Sequence, residues 1–338
     1  HAPGAVFSAE ITVALGSVKS GCLQDQALPH VGRLRGVPID FGTPAPKSNA
    51  DFLLPSEAAR WIRPRAAHLH KHSAGIVHLW AGSTTYPGAA VLASEGALRS
   101  GAGYVRLFTE RPVTAPIPTR LPELLLTPHA EGTAPDLTAF QSQAQALVIG
   151  PGLPSSAALE DFLRRLLSTA KVPVVLDAGA LDLVASHPEW LETTQAPVIL
   201  TPHAGELSRL VGQKVEDRSE AARVWLDRHP HTLLVAKGPH TLVASSDHAF
   251  SHNSTGGPAQ ATAGMGDLLA GLTGGVLAAG YSPFDAARLA VLWHGLAADL
   301  AEQAGGPVVL ASGVANQLPR SEEHTSELQS PYVISYAV

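Results

Sequence analysis

Four short stretches of the chain are continuously apolar, and they predict buried β-strands. They are Ala146–Ile149, 173–176, 197–200 and Thr232–Ala236. Unbroken apolar runs of this kind are typical of strands covered on both faces, as in a parallel sheet under helices. A further run, 241–245, follows the last of these after a short Lys-Gly-Pro-His turn, so we expect a hairpin there.

The segments around these strands carry helical patterns of apolar residues. They are 159–167, 220–227, 267–280 and 283–305. The last of these has a clear start signal, with Ser282 as its N-cap and Pro283 at its first position. From residue 51 to residue 319 the chain therefore alternates between strand and helix, which predicts an α/β domain.

The two ends of the chain differ from this pattern. Residues 1–44 hold two short strand-like runs, Ile11–Leu15 and 36–41, which are too short to enclose a core. A proline-rich polar stretch, 45–50, has the composition of a linker. The last segment, 320–338, is polar, shows no amphipathic period and resembles the in-frame translation of a sequencing-library adapter. We expect this tail to pack poorly, to carry no function and to lie outside the biological protein.

Composition narrows the class of protein. Of the 338 residues, 45% are hydrophobic and 15% are charged, which is enough for a large buried core. The formal net charge is −6 and no block of Lys or Arg occurs, so nucleic acid and anionic membranes are disfavoured as partners. No apolar run reaches the roughly 18 residues of a membrane span. The only cysteine, Cys22, excludes a disulfide framework and a Cys-rich zinc site.

A loop of small residues, 253–266, leads directly into the predicted helix that starts near Asp267. Small residues let the backbone approach a ligand, and the free N–H groups of a helix N-terminus attract anions. A carboxylate beside such a site is suited to take a proton from a hydroxyl that reacts with phosphate. The same pattern also fits a glycine-rich loop with an acidic cap. Neither a P-loop nor a dinucleotide fingerprint is present.

Polar or glycine-containing clusters follow three of the predicted strands. They are Gly150-Pro151-Gly152, Asp177-Ala178-Gly179 and residues 201–206. In an open parallel sheet, the loops after the carboxyl ends of the strands form the ligand crevice. Each cluster alone also fits an ordinary turn between strand and helix, but together they favour a single site.

Two further features have both a chemical and a structural interpretation. Lys237-Gly238, at the hairpin turn, fits a contact to phosphate or adenine as well as a plain turn lysine. His68, His70 and His72 alternate as metal ligands on a strand would, but no carboxylate accompanies them. We interpret these histidines as part of a solvated loop and predict no metal site formed by protein residues.

Taken together, these motifs resemble those of the ADP/ATP-dependent NAD(P)H-hydrate dehydratases, the C-terminal half of a bifunctional nicotinamide-nucleotide repair enzyme. The matching stretches are His70-Lys71, Gly82-Ser83, 86–90, 97–103, 149–153, 176–181, 200–206, Lys237-Gly238, Asn253, Thr255-Gly256 and 264–267. They follow one another in the same order as in that family, over residues 51–318. The resemblance implies a ribokinase-like α/β fold, with a mainly parallel central sheet and helices on both faces.

The resemblance also implies an activity. It is the dehydration of the S-epimer of NADH hydrate or NADPH hydrate back to the intact cofactor, driven by ADP or ATP with Mg²⁺. Asp267 would be the catalytic base. The hydrate would be bound by Ala89, Gly152, His203 and Asp267, and the nucleotide by Lys237, Gly238, Pro239, His240, Thr241, Gly264 and Gly266. These small molecules would be the partners of a cytoplasmic homo-oligomer.

The N-terminal part has a resemblance of its own. Residues 12–16 and 19–21 look like the last strands of an NAD(P)H-hydrate epimerase domain, whose own motifs would precede His1. Because the chain does not begin with Met, we interpret it as a fragment. We expect no epimerase activity, and we expect loss of residues 1–44 to leave dehydration nearly intact.

The phosphate loop departs from the family pattern at two positions. Ala263 and Met265 stand where the family has a glycine and a small hydroxyl residue, and the lost hydroxyl is expected to weaken nucleotide binding.

Two other functions stay open. A ribokinase-like kinase of a small molecule such as a vitamin precursor would use the same acid and anion site to phosphorylate a stable alcohol. A nucleotide-binding module without catalysis would bind nucleotide without turnover.

Overall fold

A mainly parallel sheet organises the part of the chain that the computed structural model describes, which is residues 7–37, 39 and 48–327. The strands are β1 (Ile11–Leu15), β2 (Arg33–Val37), β3 (Ala50–Leu53), β4 (Ile76–Trp80), β5 (Tyr104–Glu110), β6 (Leu125–His129), β7 (Ala146–Ile149), β8 (Val174–Leu176), β9 (Val198–Leu200), β10 (Thr232–Ala236), β11 (Leu242–Ala244) and β12 (Phe250–Asn253). Ten of them form one sheet in the order β3-β12-β11-β10-β9-β8-β7-β4-β5-β6, while β1 and β2 pair separately.

The predicted strands are found where the apolar runs are. β7 and β10 match their predicted bounds, while β8 and β9 start one residue later than predicted, after Pro173 and Pro197. Proline has no N–H to donate to a neighbouring strand, so it tends to stand at a strand boundary. β11 pairs antiparallel with both β10 and β12, and the predicted hairpin is therefore confirmed.

Helices cover both faces of the large sheet. The helices of the described residues are α1 (Leu28–Val31), α2 (Pro55–Ala58), α3 (Pro87–Arg99), α4 (Ile117–Arg120), α5 (Leu137–Gln141), α6 (Ala157–Thr169), α7 (Gly179–Ser186), α8 (Ala204–Val211), α9 (Arg218–Arg228), α10 (Met265–Ala278), α11 (Pro283–Gly305) and α12 (Ala311–Glu327), and α1 lies in the N-terminal segment. Along β7, Ala146 and Val148 belong to one hydrophobic core and Leu147 and Ile149 to the other. This alternation is expected of a strand between two helical layers, and the predicted α/β architecture is confirmed.

The helix α10 lies deep in the molecule, close against α3. A Cβ atom on Gly271 would lie 1.8 Å from the carbonyl oxygen of Ala93, and one on Gly96 would lie 2.2 Å from that of Leu268. Only glycine permits so close a crossing of the two helix backbones. The crossing fixes α10 with its N-terminus at the edge of the sheet where the parallel strands end.

The N-terminal segment, residues 7–37, forms a small parallel pair of strands in which Ile11 faces Arg33. Its buried residues Leu23, Val31 and Leu34 form a small cluster with Phe52 packed against it. The predicted second strand, 36–41, is displaced: β2 begins at Arg33, and most of residues 38–47 lie outside the described residues. Charged side chains at positions 33 and 35 broke the apolar pattern and hid the start of this strand.

The predicted linker and tail need correction where the structure describes them. Ala50, which we expected to end the linker, is the first residue of β3. The poor packing expected of 320–338 is wrong for 320–327, which extends α12 and buries Ser321 and Thr325. Each of these hydroxyls donates to a carbonyl of the preceding turn, so these polar residues are buried without an unpaired hydroxyl group. Residues 328–338 lie outside the described residues.

Candidate active site

A pocket of about 320 Å³ opens at the carboxyl edge of the parallel strands, beside the N-terminus of α10. Ala89, Gly152 and Asp267 line it together, although α3, the loop after β7 and α10 supply them separately. Glu206 on α8 lines it too. The structure thus brings three of the four predicted hydrate-binding residues into one cavity, as expected for loops that follow neighbouring parallel strands.

Asp267 lies in the first turn of α10, where its carboxyl is largely removed from water. Burial raises its pKa to about 7, and the nearby Asp177 carboxylate adds to this increase while Lys237 opposes it. A carboxyl whose pKa is close to neutral is charged in part of the population and can accept a proton near physiological pH. This environment fits the role of general base predicted for Asp267.

Lys237 lies inside a cluster of carboxylates. Its Nζ is 2.7 Å from Asp177 Oδ1 and 3.9 Å from Glu206 Oε2. Thr201 also donates to Asp177 Oδ1, at 2.9 Å. Burial disfavours the ammonium form, but Asp177, Glu206 and Asp267 outweigh it and raise the Lys237 pKa, so this side chain carries its positive charge. Lys237 therefore provides the positive charge at the point where three acidic side chains converge.

The loop before α10 leaves backbone uncovered next to this charge. Gly264 has a φ of +88°, and a Cβ there would lie 2.4 Å from Leu92 Cδ1. A Cβ on Gly266 would lie 3.1 Å from Lys237 Nζ, so the missing side chain leaves room directly beside the ammonium group. Because the first N–H groups of a helix have no partner within it, this space is suited to an anion.

The side chain of Met265 lies in the hydrophobic core beneath α10, where it is 8% exposed. This side chain therefore does not fill the anion space.

Ala89 and Gly152 form a wall of the pocket that only small residues allow. Gly152 has a φ of +65°, and a Cβ there would lie 2.5 Å from the Ala89 Cβ. Ser83 donates to the Gly152 carbonyl at 2.8 Å, which holds this loop against the start of α3. The close contact leaves the pocket wall flat at this point.

His203 stands at the rim as the N-cap of α8. Its Nδ1 accepts the N–H groups of Gly205 and Glu206 at 3.0 and 3.3 Å, which leaves its proton on Nε2. The side chain is 57% exposed, and its Nε2 is 3.5 Å from Glu206 Oε2. His203 is not among the described residues that line the pocket, and it reaches the carboxylate cluster through Glu206.

The other predicted nucleotide residues form the turn between β10 and β11. Gly238 has a φ of +151°, and His240 adopts a positive φ of 48°. The Nδ1 of His240 bonds to the Asn253 carbonyl at 3.1 Å, and the Thr241 hydroxyl donates to the Gly238 carbonyl at 2.9 Å. These bonds fix the turn formed by residues 237–241, but they do not bring Pro239, His240 or Thr241 to the wall of the pocket.

No individual role was predicted from the sequence for Asp177, Glu206 or Arg218. Asp177 and Glu206 lie in the clusters that follow β8 and β9, so their position after buried strands was a usable signal for the carboxylate cluster. Arg218, which lies under the turn, gave no such signal. His70 and His72 lie in a loop, where His70 Nδ1 accepts the Ser73 N–H at 3.2 Å.

The described residues contain neither a metal site formed by protein side chains alone nor a membrane-spanning helix. In this part of the chain, no group of three or more His, Cys, Asp or Glu side chains is arranged to hold a metal ion by itself. Among the helices that the structure describes, none combines the length and the apolar character needed to cross a membrane.

Known proteins resemble this chain over most of its length. A family model for NAD(P)H-hydrate dehydratase matches residues 77–320. The ADP-dependent (S)-NAD(P)H-hydrate dehydratase of Bacillus subtilis is 35% identical over 277 residues, 80% of this chain and 98% of that protein. The bifunctional NAD(P)H-hydrate repair enzyme Nnr of Salinibacter ruber is 37% identical over 77% of this chain. The chain spans only 50% of the length of that relative.

Solved structures also resemble this chain over most of its length. The ADP/ATP-dependent NAD(P)H-hydrate dehydratase from Bacillus subtilis, co-crystallised with ATP and Mg²⁺, matches with a TM-score of 0.72 and 33% identity. The match covers 81% of this chain and 98% of that one. A protein described as ribokinase-like matches at 24% identity, which shows the fold alone. The predicted ribokinase-like fold is confirmed.

Proposed function

The chain belongs to the NAD(P)H-hydrate dehydratase family, and from this premise we propose that it uses ADP or ATP to dehydrate the S-epimer of NADH hydrate or NADPH hydrate. The observation that carries the proposal is the carboxyl of Asp267, which lines the pocket with a pKa raised to about 7, in the first turn of the helix whose N-terminus fits an anion. A base and an anion site at the same helix end suit phosphoryl transfer to a hydroxyl.

In the first step, Asp267 accepts the proton of the hydroxyl at C6 of the hydrate. The freed oxygen forms a bond to the terminal phosphorus of the nucleotide, while the bond from that phosphorus to the leaving nucleotide oxygen breaks. Negative charge grows on the transferring group, next to the N-terminus of α10 and to the Lys237 ammonium. Fixed charges and dipoles of this kind stabilise the transition state without reorganising.

In the second step, the ring nitrogen donates its lone pair and phosphate leaves C6 with the original hydroxyl oxygen. The departing phosphate then accepts a proton from the neighbouring ring carbon, which restores NADH or NADPH. Asp267 holds the proton from the first step, and its pKa of about 7 allows it to release that proton to water before the next turnover.

The residues present fit a magnesium ion that arrives with the nucleotide. Magnesium is usually held by one or two carboxylates together with substrate phosphates. Asp177 and Glu206 offer hard oxygen ligands beside Lys237. When bound, the ion would neutralise phosphate charge during transfer.

The nicotinamide ring of the hydrate would lie against Ala89 and Gly152, which line the pocket together and whose close contact leaves no room for a Cβ on Gly152. His203 would donate its Nε2 proton to the hydrate from the rim, since its Nδ1 already accepts two backbone N–H groups. Gly264 and Gly266 would bind the nucleotide phosphates, with Lys237 beside them. The turn residues Gly238, Pro239, His240 and Thr241 would contact the rest of the nucleotide.

Incubation of the full chain with NADH hydrate tests the proposal. Reactions with ADP, with ATP and without nucleotide are followed by absorbance at the NADH band and by phosphate release. We expect one phosphate for each NADH formed, and only with nucleotide present. A stable phosphorylated alcohol would instead identify a small-molecule kinase, and nucleotide binding without turnover would identify a binding module.

Two parts of the proposal rest on the family resemblance. The homo-oligomeric state is tested by size-exclusion chromatography with light scattering, where a monomer would contradict it. The cytoplasmic location is tested by fractionating cells that express the chain from its natural gene.

A further inference from the structure

The turn between β10 and β11 rests on a buried arginine. Arg218, the first residue of α9, is 6% exposed, and its Nη1 donates to the Ala236 carbonyl at 3.3 Å while its Nη2 donates to the Pro239 carbonyl. A Cβ on Gly238 would lie 2.6 Å from Nη1, so the turn lies directly on the guanidinium. Because the two carbonyls stand on either side of Lys237-Gly238, Arg218 fixes the path of the backbone there.

The counter-charge for this arginine comes from the N-terminal segment. Asp25 accepts hydrogen bonds from Arg218 Nη2 at 2.7 Å, from Nε at 2.9 Å and from the backbone N–H at 3.0 Å. In return, the Asp25 N–H donates to Asp217, the N-cap of α9, at 3.4 Å. A buried guanidinium is stable only when it is paired. Arg218, which supports the turn, is therefore itself held by Asp25, a residue 193 positions earlier in the chain.

A second ion pair joins the same segment to α11, which in turn holds the loop that leads to α10. Arg33 Nη2 lies 2.6 Å from Glu302 Oε2 and 3.8 Å from Asp299 Oδ1. The other oxygen of Asp299 accepts the Gly256 N–H at 3.0 Å. A Cβ on Gly257 would lie 2.8 Å from Arg33 Nη2, so this loop also packs against the arginine.

We propose that the N-terminal segment, residues 7–37, is a working part of the nucleotide site, in which Asp25 and Arg33 are positioning residues for the two loops that bind ADP or ATP. The inference rests on the proposed function, because it takes the turn and the start of α10 as the nucleotide site. Among the described residues that line the pocket of Asp267, neither Asp25 nor Arg33 is found. Their loss should therefore weaken nucleotide binding and leave the chemical step intact.

This inference changes one expectation from the sequence. Loss of residues 1–44 was expected to leave dehydration nearly intact, because the segment has no core of its own. The two ion pairs predict instead that dehydration survives only at high nucleotide concentration, with a raised KM for ADP or ATP.

The test substitutes Asp25 in the full chain. In Asp25→Asn, the guanidinium loses its counter-charge and its hold on the turn, and we expect the Kd for ADP to rise about ten-fold, the effect of losing a charged hydrogen bond. The kcat at saturating nucleotide should change little. Asp25→Glu keeps the charge and should restore most of the affinity.

A control is available in an ion pair of the same length elsewhere in the chain. Asp51 lies 2.7 Å from Arg288 Nη2, the same distance as in the Asp25 pair, and the two side chains are 40% and 10% exposed. Arg288 donates to Ser251 and to neither of the two loops. Asp51→Asn should lower the melting temperature without changing the Kd for ADP.

A double variant distinguishes loss of the turn's support from unfolding of the chain. Asp25→Asn with Arg218→Gln removes both charges, so that no buried charge stays unpaired and the chain should fold, while the turn still loses its support. The Kd for ADP should remain raised in this variant. A Kd equal to that of the parent chain in Asp25→Asn or in the double variant would overturn the inference, and so would an equal rise in Asp51→Asn.

Activity of the parent chain separates this inference from the proposed function. If the parent binds ADP but does not convert NADH hydrate, the proposed reaction fails, and a raised Kd in Asp25→Asn still supports the positioning role. If the parent binds neither ADP nor ATP, both fail.

Discussion

The proposed catalytic centre and the proposed nucleotide turn lie at the same edge of the sheet, but their charges are held in different ways. In the centre, Lys237 is paired with Asp177 and Glu206, and all three come from segments that follow neighbouring parallel strands. Beneath the turn, Arg218 is paired with Asp25, which belongs to the N-terminal segment. The centre is thus assembled within the large sheet, whereas the turn also depends on a contact from outside it.

This difference indicates how chemistry and nucleotide affinity can be separated. The parallel register of β8, β9 and β10 places the three charges of the centre together. Changes at the N-terminal segment should therefore alter the turn and not the centre. The predictions that follow test this separation from the side of the catalytic centre and its loop.

The largest expected effect is the loss of chemistry in Asp267→Asn. Without a carboxylate to accept the hydroxyl proton, turnover should fall by roughly 10² or more, the usual contribution of a general base. The Kd for ADP, measured by calorimetry, should stay close to that of the parent because the N–H groups of α10 remain. Turnover within a few-fold of the parent would show that another group is the base.

Lys237 belongs to both regions, so its removal should affect both. In Lys237→Met, Asp177 keeps its buried position without a counter-charge, and we expect a loss of about 3 kcal/mol in the free energy of unfolding. The Asp267 pKa should rise above about 7, because Lys237 now lowers it. Denaturant titration and the pH profile of turnover measure the two effects.

A control for this change is the exposed pair of Arg209 and Asp182, whose side chains are 50% and 44% exposed. Arg209→Met should cost less than about 1 kcal/mol, since water screens such pairs. Equal losses in the two variants would contradict the buried charge cluster.

The raised pKa of Asp267 also links stability to pH. The folded chain binds a proton at this carboxyl up to about pH 7, whereas the unfolded chain releases it near its ordinary pKa of 3.8. Stability contributed by this group is therefore lost as the pH rises from about 4 through 7. Asp267→Asn should gain stability over the parent across this window, on the order of 4 kcal/mol at pH 8. A constant difference between pH 4 and pH 8 would contradict the shift.

A smaller effect is expected in the loop before α10. Gly264→Ala places a Cβ 2.4 Å from Leu92 at a φ of +88°, so the loop must shift. We expect a loss of about 1–2 kcal/mol in stability and weaker nucleotide binding. Gly305→Ala is the control, because a Cβ there has nothing within 4 Å. Unchanged ADP affinity in Gly264→Ala would show that this loop does not bind phosphate.

Sequence patterns predicted those parts of the molecule that are locally encoded. The buried strands β7 to β10 are continuous apolar runs, and Asp267 stands at a recognisable helix start. The start of β2 was missed because charged residues interrupt it, and helical packing of 320–327 was missed because its buried positions are Ser321 and Thr325. The pairing of Asp25 with Arg218 joins residues 193 positions apart and leaves no local pattern.

The most direct test of the account follows the hydroxyl oxygen of the hydrate. NADH hydrate labelled with ¹⁸O at that hydroxyl is incubated with the chain and ADP, and the phosphate released is analysed by mass spectrometry. If the hydroxyl is phosphorylated before it leaves, the label appears in inorganic phosphate. Unlabelled phosphate, with the ¹⁸O in water, would contradict the proposed phosphoryl transfer at Asp267.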